Sequence, residues 1–378
     1  MQLDLTDDQS LFHQTTLRFI ETELPLDQTR SLHDDPQGYT RSWLRKSGEI
    51  GWFAMLVPEA YGGGSVSGTG LLDAVIVSEE LGRTMQPGPF IPMNIVASAL
   101  ASGGSDAMRS DVLPQIIAGE EVATWAHADG RGNWDDGSSL ALERSGSGLR
   151  LSGTRGFVQD AVSADWLLVV ATTDDGPVQA LVRADDPGVH VRPLTCLDLS
   201  RRLADVDFDG VQVSPDAILD TAGSDLLEAQ LLLAAVLVCA DTVGAIDALL
   251  AMTVAYAKDR IAFGRPIGSF QALKHVLADQ ALYLETCKAG AVAAAKAVAT
   301  GADNAPEIVS MVAAYIGDVS NELAQECLQV HGGIGYTWEH DLHLFLRRVR
   351  SNAVLYGEPT WHRERVCAFH DRSDGALR

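Results

Sequence analysis

Apolar positions follow helical spacing over the first third of the chain, alternate over the middle, and return to helical spacing from Ser224 onward. Thr6 followed by Gln9 is a capping-box pattern that opens a first helix ahead of Leu11, Phe12, Phe19 and Ile20. Further helices are predicted around Tyr39 to Ile50, Gly70 to Leu81, Pro92 to Ser102 and Asp106 to Ala118, with the turn-rich GWFAMLVPEAYGGG among them. Residues 1–120 therefore read as a helical domain. At Glu121 the texture changes to short alternating runs bounded by Gly, Asp, Ser and Pro, from ATWAHA to ADVDFDGVQV, which predicts a small β-barrel or sandwich over 121–223. Four long helices are then predicted in 224–378, over Ser224 to Lys258, Ser269 to Thr300, Asn304 to Val330 and His340 to Tyr356, and they fit a four-helix bundle. In the second, Leu273, Val276, Leu277, Ala281 and Leu284 share a face, with Ser269 as N-cap. In the third, the stripe is Ile308, Met311, Val312, Tyr315, Val319 and Leu323, with Gly332/Gly333 as its stop.

At 378 residues and 46% hydrophobic content, the chain can bury two or three domain cores. The formal charge of −23 argues against nucleic acid or an anionic membrane surface as a partner, though a local cation cluster such as Arg347, Arg348 and Arg350 still suits an anionic ligand. Five scattered cysteines form no C-x-x-C pair and no metal-like spacing, so no metal is expected and reduced thiols are. The N-terminus lacks the charge and apolar core of a signal peptide, and the longest apolar run, Leu231 to Ala240, is about half of a roughly twenty-residue span. A cytoplasmic protein off the membrane is the expectation. That run, apolar almost all round, also predicts oligomerisation through the bundle, with burial inside one chain as the alternative.

The densest chemical signal is YAKDRIAFGRPIGSFQALKHVLAD, from Tyr256. A cation at a glycine turn between helix ends suits a pyrophosphate, because guanidinium pairs bidentately and open N–H groups need an acceptor. A capped helix hairpin with a surface arginine is the structural alternative.

The string R-x-x-F-G-x-P-I-x-x-x-Q-x-x-K-H-x-x-A-D resembles the signature of the acyl-CoA dehydrogenase flavoproteins, and QVHGGIGYTWEHDLHLFLRR from Gln329 resembles that family's next block at the right distance. The resemblance extends over the three-part architecture. It implies FAD as cofactor, an acyl-CoA thioester as substrate, an electron-transfer acceptor, and α,β-dehydrogenation, in which a carboxylate takes the α-proton as hydride leaves the β-carbon for flavin N5. It also implies a FAD site shared between subunits. The pyrophosphate and adenine half, supplied across the boundary, matches Arg260, Phe263, Gly264, Ile267, Phe270, Gln329, Gly332 and Gly333.

The half that a subunit supplies to its own flavin departs from the family. The T-E-P-x-A-G-S-D loop is replaced by HADGRGNWDD from His127, and W-I-T-N reads Phe157, Val158, Gln159, Asp160. Where a Y-E-G-T string carries the base, Gly357 takes the glutamate's place and Glu358 falls one residue late, a shift of about 100° on a helix. The family's other base position coincides with Ala234 and Ala235, leaving Asp241, about two turns along the same face, as the second candidate beside a purely structural role for it. His275 and His331 have no visible catalytic partner. Three readings result: a degenerate subunit of an α2β2 dehydrogenase, of the type associated with steroid and other bulky CoA esters, that completes the FAD site of a catalytic homologue; a self-sufficient homo-oligomeric dehydrogenase with Glu358 or Asp241 as base; and a flavin oxidase or monooxygenase on the same fold.

Overall fold

The computed structural model describes residues 5–134, 140–145, 148–220 and 223–375. Six helices come first: α1 (Asp7–Glu23), α2 (Leu26–Ser31), α3 (Arg41–Glu49), α4 (Gly70–Arg83), α5 (Phe90–Gly103) and α6 (Leu113–Ile117). The capping box forms as expected, with the Gln9 N–H donating to Thr6 Oγ1 and the Thr6 N–H to Gln9 Oε1, both at 3.2 Å. The helix expected over Asp106 to Ala118 forms, with a π-type turn, Met108–Val112, inside it before Pro114, which has no N–H to continue the ladder.

Seven strands follow: β1 (Ala123–Ala126), β2 (Leu140–Ser145), β3 (Gly148–Gln159), β4 (Trp166–Thr173), β5 (Gly176–Arg183), β6 (Val189–Pro193) and β7 (Leu203–Val213). They make one mixed sheet in the order β1-β4-β2-β3-β7-β6, with β5 along the other edge of β4; β1 and β2 both run parallel to β4 and share its remaining edge. Alternation in strands such as β7, whose Ala204, Val206 and Phe208 turn inward, fixes the register.

The C-terminal region contains α7 (Gly223–Asp259), a hairpin of β8 (Ile261–Ala262) and β9 (Arg265–Pro266), α8 (Gln271–Ala299), α9 (Ala305–His331), α10 (Leu342–Asn352) and α11 (Pro359–Gly375). The expected fourth helix thus stops at Asn352, and a fifth packs against α9. Its polar sequence carries no apolar stripe; Pro359 in its first turn was the available signal. α7 is the central helix, packed on α4, α5, α8, α9 and α10. Gly82 and Gly244 let the α4 and α7 backbones touch, since a Cβ at either would overlap the other helix. With a mean hydropathy of 2.0 in its most apolar window, α7 is long and apolar enough to cross a membrane, yet 89% of that window is buried within the chain. Leu231 to Ala240 is accordingly satisfied internally and requires no second subunit.

Other apolar faces are not satisfied. On α8 only Leu284 of the predicted face is buried, and on α9 Met311 and Tyr315 are 53% and 38% exposed, the core side being Val309, Ile316, Leu323 and Cys327. Ser269 does not cap α8: it lies in a 3-10 turn, its hydroxyl donating to Pro266 O at 2.7 Å, and Phe270 is the cap residue. The turn is pressed onto α7, where a Cβ on Gly268 would come within 2.8 Å of Ala257 O.

Candidate functional site

Three segments distant in sequence meet in one cleft of about 310 Å³, whose walls include Arg131, Trp134, Phe157, Val354, Glu358 and Trp361. They are the loop after β1, the bulged end of β3 and the turn between α10 and α11, the stretches where the sequence departs from its family pattern. Asp129 shapes the loop, its carboxylate accepting from the backbone N–H of Arg131 (2.7 Å) and Asn133 (2.9 Å) and from the Asn133 amide (2.8 Å). A register shift between Arg155 and Val158 turns Phe157 outward at φ 54°, 38% exposed. Trp134 and Tyr356 are buried, ring centroids 4.9 Å apart, and a stack of His127 and Trp125 backs them.

Gly357 sits at φ +117°, and a Cβ there would come within 2.7 Å of Trp361 Cζ3 and 2.8 Å of His362 Nε2. The position can carry no side chain without displacing an indole. Glu358 lies on the exposed rim of the cleft. Burial holds the His362 imidazole neutral, its pKa pushed down to about 3.

Asp241 is embedded in a buried ionic network. Its Oδ1 accepts from Asn352 Nδ2 (2.6 Å) and Arg201 Nη2 (3.3 Å), its Oδ2 from Arg348 Nη1 (2.9 Å), and the adjoining void is only about 10 Å³. Arg348 Nε lies 2.9 Å from Asp198 Oδ2, and its Nη2 donates to Gln86 O and Ser200 Oγ. Such a carboxylate, accepting hydrogen bonds on both oxygens and with no room for a substrate beside it, is built into the scaffold. Arg348 is thereby withdrawn from the predicted surface cluster, leaving Arg347 and Arg350 apart from it. Beside the network, Asp160 is fully buried at φ 56° with the neutral Gln159 amide 3.1 Å away, and burial pushes its pKa up to about 7. Ala234 and Ala235 are also buried, so that position offers no base.

The predicted cofactor residues lie elsewhere, and none lines the cleft. Phe263 (φ 53°) and Gly264 (φ 79°) form the tip of the β8–β9 hairpin, and the phenyl ring is 95% exposed. Ile267 and Phe270 are half-buried behind it, with the Arg265 guanidinium 4.0 Å over the Phe270 ring. Gln329, Gly332 and Gly333 end α9, where Gly332 at φ 61° stops the helix. The two motifs are joined by Tyr256, whose ring stacks on His331 at 4.5 Å. His331 Nδ1 donates to Cys327 O at 2.9 Å, and burial lowers its pKa, so it is a neutral structural imidazole. His275 is exposed on α8. Arg260 is exposed just past the end of α7, and among the described residues its guanidinium makes no hydrogen bond or ion pair, while its backbone N–H donates to Tyr256 O at 2.9 Å. A free cation beside glycines where a Cβ would meet nothing within 4 Å fits a phosphate-bearing ligand. For a flavin with its substrate the cleft offers a rim-exposed Glu358 as its carboxylate and no room for a side chain at Gly357, and the Trp134 indole takes up part of its wall. Sequence reasoning missed Trp134, Trp361 and Arg201; a tryptophan inside an otherwise polar replacement loop was the available sign for the first.

Comparison with known proteins agrees with this architecture. Residues 6–120 match the acyl-CoA dehydrogenase N-terminal domain and residues 221–369 the acyl-CoA dehydrogenase C-terminal domain. The acyl-CoA dehydrogenase IpdE2 of Mycolicibacterium smegmatis is 30% identical over 358 residues, covering 94% of this chain and 96% of its own. The ChsE4-ChsE5 complex from Mycobacterium tuberculosis contains a chain that superposes with a TM-score of 0.89 at 27% identity, over 97% of this chain and 98% of that one. A glutaryl-CoA dehydrogenase from Mycobacterium smegmatis, solved with FADH2, shares the fold at 22% identity and a TM-score of 0.86, over 96% and 94% of the two chains. With sequence similarity running along nearly its whole length and the same order of helical, β and helical parts, this chain belongs to the acyl-CoA dehydrogenase family of oxidoreductases.

Proposed function

We propose that this chain is the non-catalytic subunit of a heteromeric acyl-CoA dehydrogenase, completing the FAD site of a catalytic homologue. The observation that carries the reading is a contrast within one molecule: among the described residues the Arg260 guanidinium is exposed and unpartnered near open glycines, while at Gly357 the inward cleft has no room for a side chain and Trp134 stands in its wall. Arg260 and the open glycines hold the pyrophosphate, Phe263 and Tyr336, 95% and 76% exposed, cover the adenine side, and the half-exposed apolar face of α8 meets the other subunit. FAD supplies the hydride acceptor for dehydrogenation in the homologue's site, where the acyl-CoA is bound. The ChsE4-ChsE5 neighbour, a complex of two different chains by its name, supports the heteromeric part. Five free cysteines suit a cytoplasmic setting.

The chain purified alone, assayed with an electron acceptor and a panel of acyl-CoAs, should show no turnover, and co-expression with a homologue retaining the T-E-P loop and a placed glutamate should restore it. In that complex Arg260→Ala should lower FAD retention about tenfold or more, the loss of a charge-assisted contact worth about 1.5–3 kcal/mol. A self-sufficient enzyme is favoured by one feature, the presence of Glu358 on the cleft wall. Turnover by the chain alone that Glu358→Gln abolishes would establish that alternative instead.

A further inference from the structure

We infer that Trp134 is a built-in occupant of the chain's own flavin space, so that the cleft left beside it admits one flat ring and no acyl chain. The inference rests on the partner-subunit reading and goes beyond it, assigning the loss of the second site to a seated side chain as well as to a missing base.

Trp134 is 7% exposed, within a cluster of four rings. Its centroid lies 4.9 Å from Tyr356 and 5.7 Å from His127; His127 stacks on Trp125 at 4.7 Å, and Trp125 faces Tyr356 at 6.1 Å. The cluster therefore ties the loop after β1 to the α10–α11 turn behind the wall of the cleft. The loop is shaped for this, since Asp129 accepts three N–H groups within four residues and the chain then runs into Trp134. Also lining the cleft, the Trp361 indole stands against Gly357 and leaves no room for a side chain.

What remains is about 310 Å³. Pockets for small ligands span roughly 300–1,000 Å³, so this space is at the lower limit. Dehydrogenation needs a flavin ring and an acyl chain face to face, which is more than one ring's room. The groups left around the space, aromatic Phe157 and Trp361, apolar Leu203 and Val354, and the Arg131 cation, suit a planar heteroaromatic ring carrying carbonyl oxygens.

The probe is lumiflavin, which has the isoalloxazine ring without the ribityl and adenosine arm, titrated into the purified chain and followed by quenching of its fluorescence. Trp134→Ala should bind lumiflavin at least tenfold tighter than the unaltered chain, and Trp134→Phe, which keeps a ring in place, should behave like the unaltered chain. Thermal melts identify the folded variants. Should Trp134→Ala fail to fold, Trp134→Leu replaces it, with at least threefold tighter binding expected. Equal affinity of the unaltered chain and the folded cavity variant, or no binding by that variant, would overturn the inference. FAD retention under Arg260→Ala tests the partner-subunit reading independently. Lumiflavin gain with no Arg260 effect would leave the occupant standing without that reading; an Arg260 effect with no lumiflavin gain would remove only the occupant.

Discussion

At Gly357 the backbone conformation and the packing agree. A φ of +117° is a region that residues with a Cβ rarely adopt, and the neighbouring Trp361 ring and His362 occupy the space a Cβ would need. Gly357→Ala should therefore destabilise the chain by roughly 2 kcal/mol, read as a lower urea midpoint at unchanged slope. Gly357→Glu should give the isolated chain no dehydrogenase activity, because a carboxylate there displaces the indole before it can reach a substrate. Activity in that single variant would mean that the base alone had been lost. Asp241 carries the opposite lesson. An aspartate in an apolar helix is an attractive base on paper, but the donors on both its oxygens make it part of the scaffold.

The β8–β9 hairpin has an arrangement that its own stability does not explain. Two-residue hairpin turns with positive φ at both positions favour Asn-Gly, yet the first position here is Phe263, at φ 53° and almost wholly in solvent. A non-glycine residue in that conformation costs on the order of 1–3 kcal/mol, and among the described residues the ring gains an edge contact to Phe270 at 6.2 Å. Under the proposed function, the ring's contact lies outside the chain. Phe263→Asn should leave the isolated chain at least as stable in urea while lowering FAD retention in the co-expressed complex at least fivefold. A destabilised chain with undiminished FAD retention would show that Phe263 serves its own fold.

Across the whole molecule, the buried network joins the segment before β7, helices α7 and α10, and the α4–α5 turn through Asp198, Ser200, Arg201, Asp241, Arg348, Asn352 and Gln86. With Asp160 it contains three carboxylates against two buried guanidiniums, and burial pushes Asp160, which has a neutral amide for a partner, toward its protonated form. Its carboxyl titrates near 3.8 when unperturbed and at about 7 in the fold. Between those values the folded chain holds a proton that the unfolded chain has released, so stability falls as pH rises through the window, at about 1.4 kcal/mol per unit and up to about 4 kcal/mol in all. Asp160→Asn should remove that slope: little difference from the unaltered chain near pH 4, and a growing advantage that levels off above pH 7, measured by urea unfolding at a series of pH values. An identical pH dependence in the variant would place the proton elsewhere.

Periodicity and capping are local properties, and the sequence alone determined what depends on them: the first helix with its Thr6 box, the switch to strands after Glu121, the long bundle helices, and the resemblance carried by RIAFGRPI and HGGIGY. Local rules misplaced what depends on neighbours. Ser269 stands where a cap should, but the 3-10 turn packed on α7 passes the role to Phe270. Leu231 to Ala240 reads like an oligomer surface, but it is buried within the chain, and the uncovered apolar faces belong to α8 and α9. α11 was missed because its polar sequence has no apolar stripe to announce it. The two motifs behind the proposed cofactor contacts were legible because each is contiguous in the sequence. The closed cleft was not: residues 131, 157 and 361 lie far apart along the chain, and the seat of Trp134, the clash at Gly357 and the charge balance around Asp160 are properties of distances between them. Those distances exist only once the loop after β1, β3 and the α10–α11 turn have been packed together by the tertiary structure.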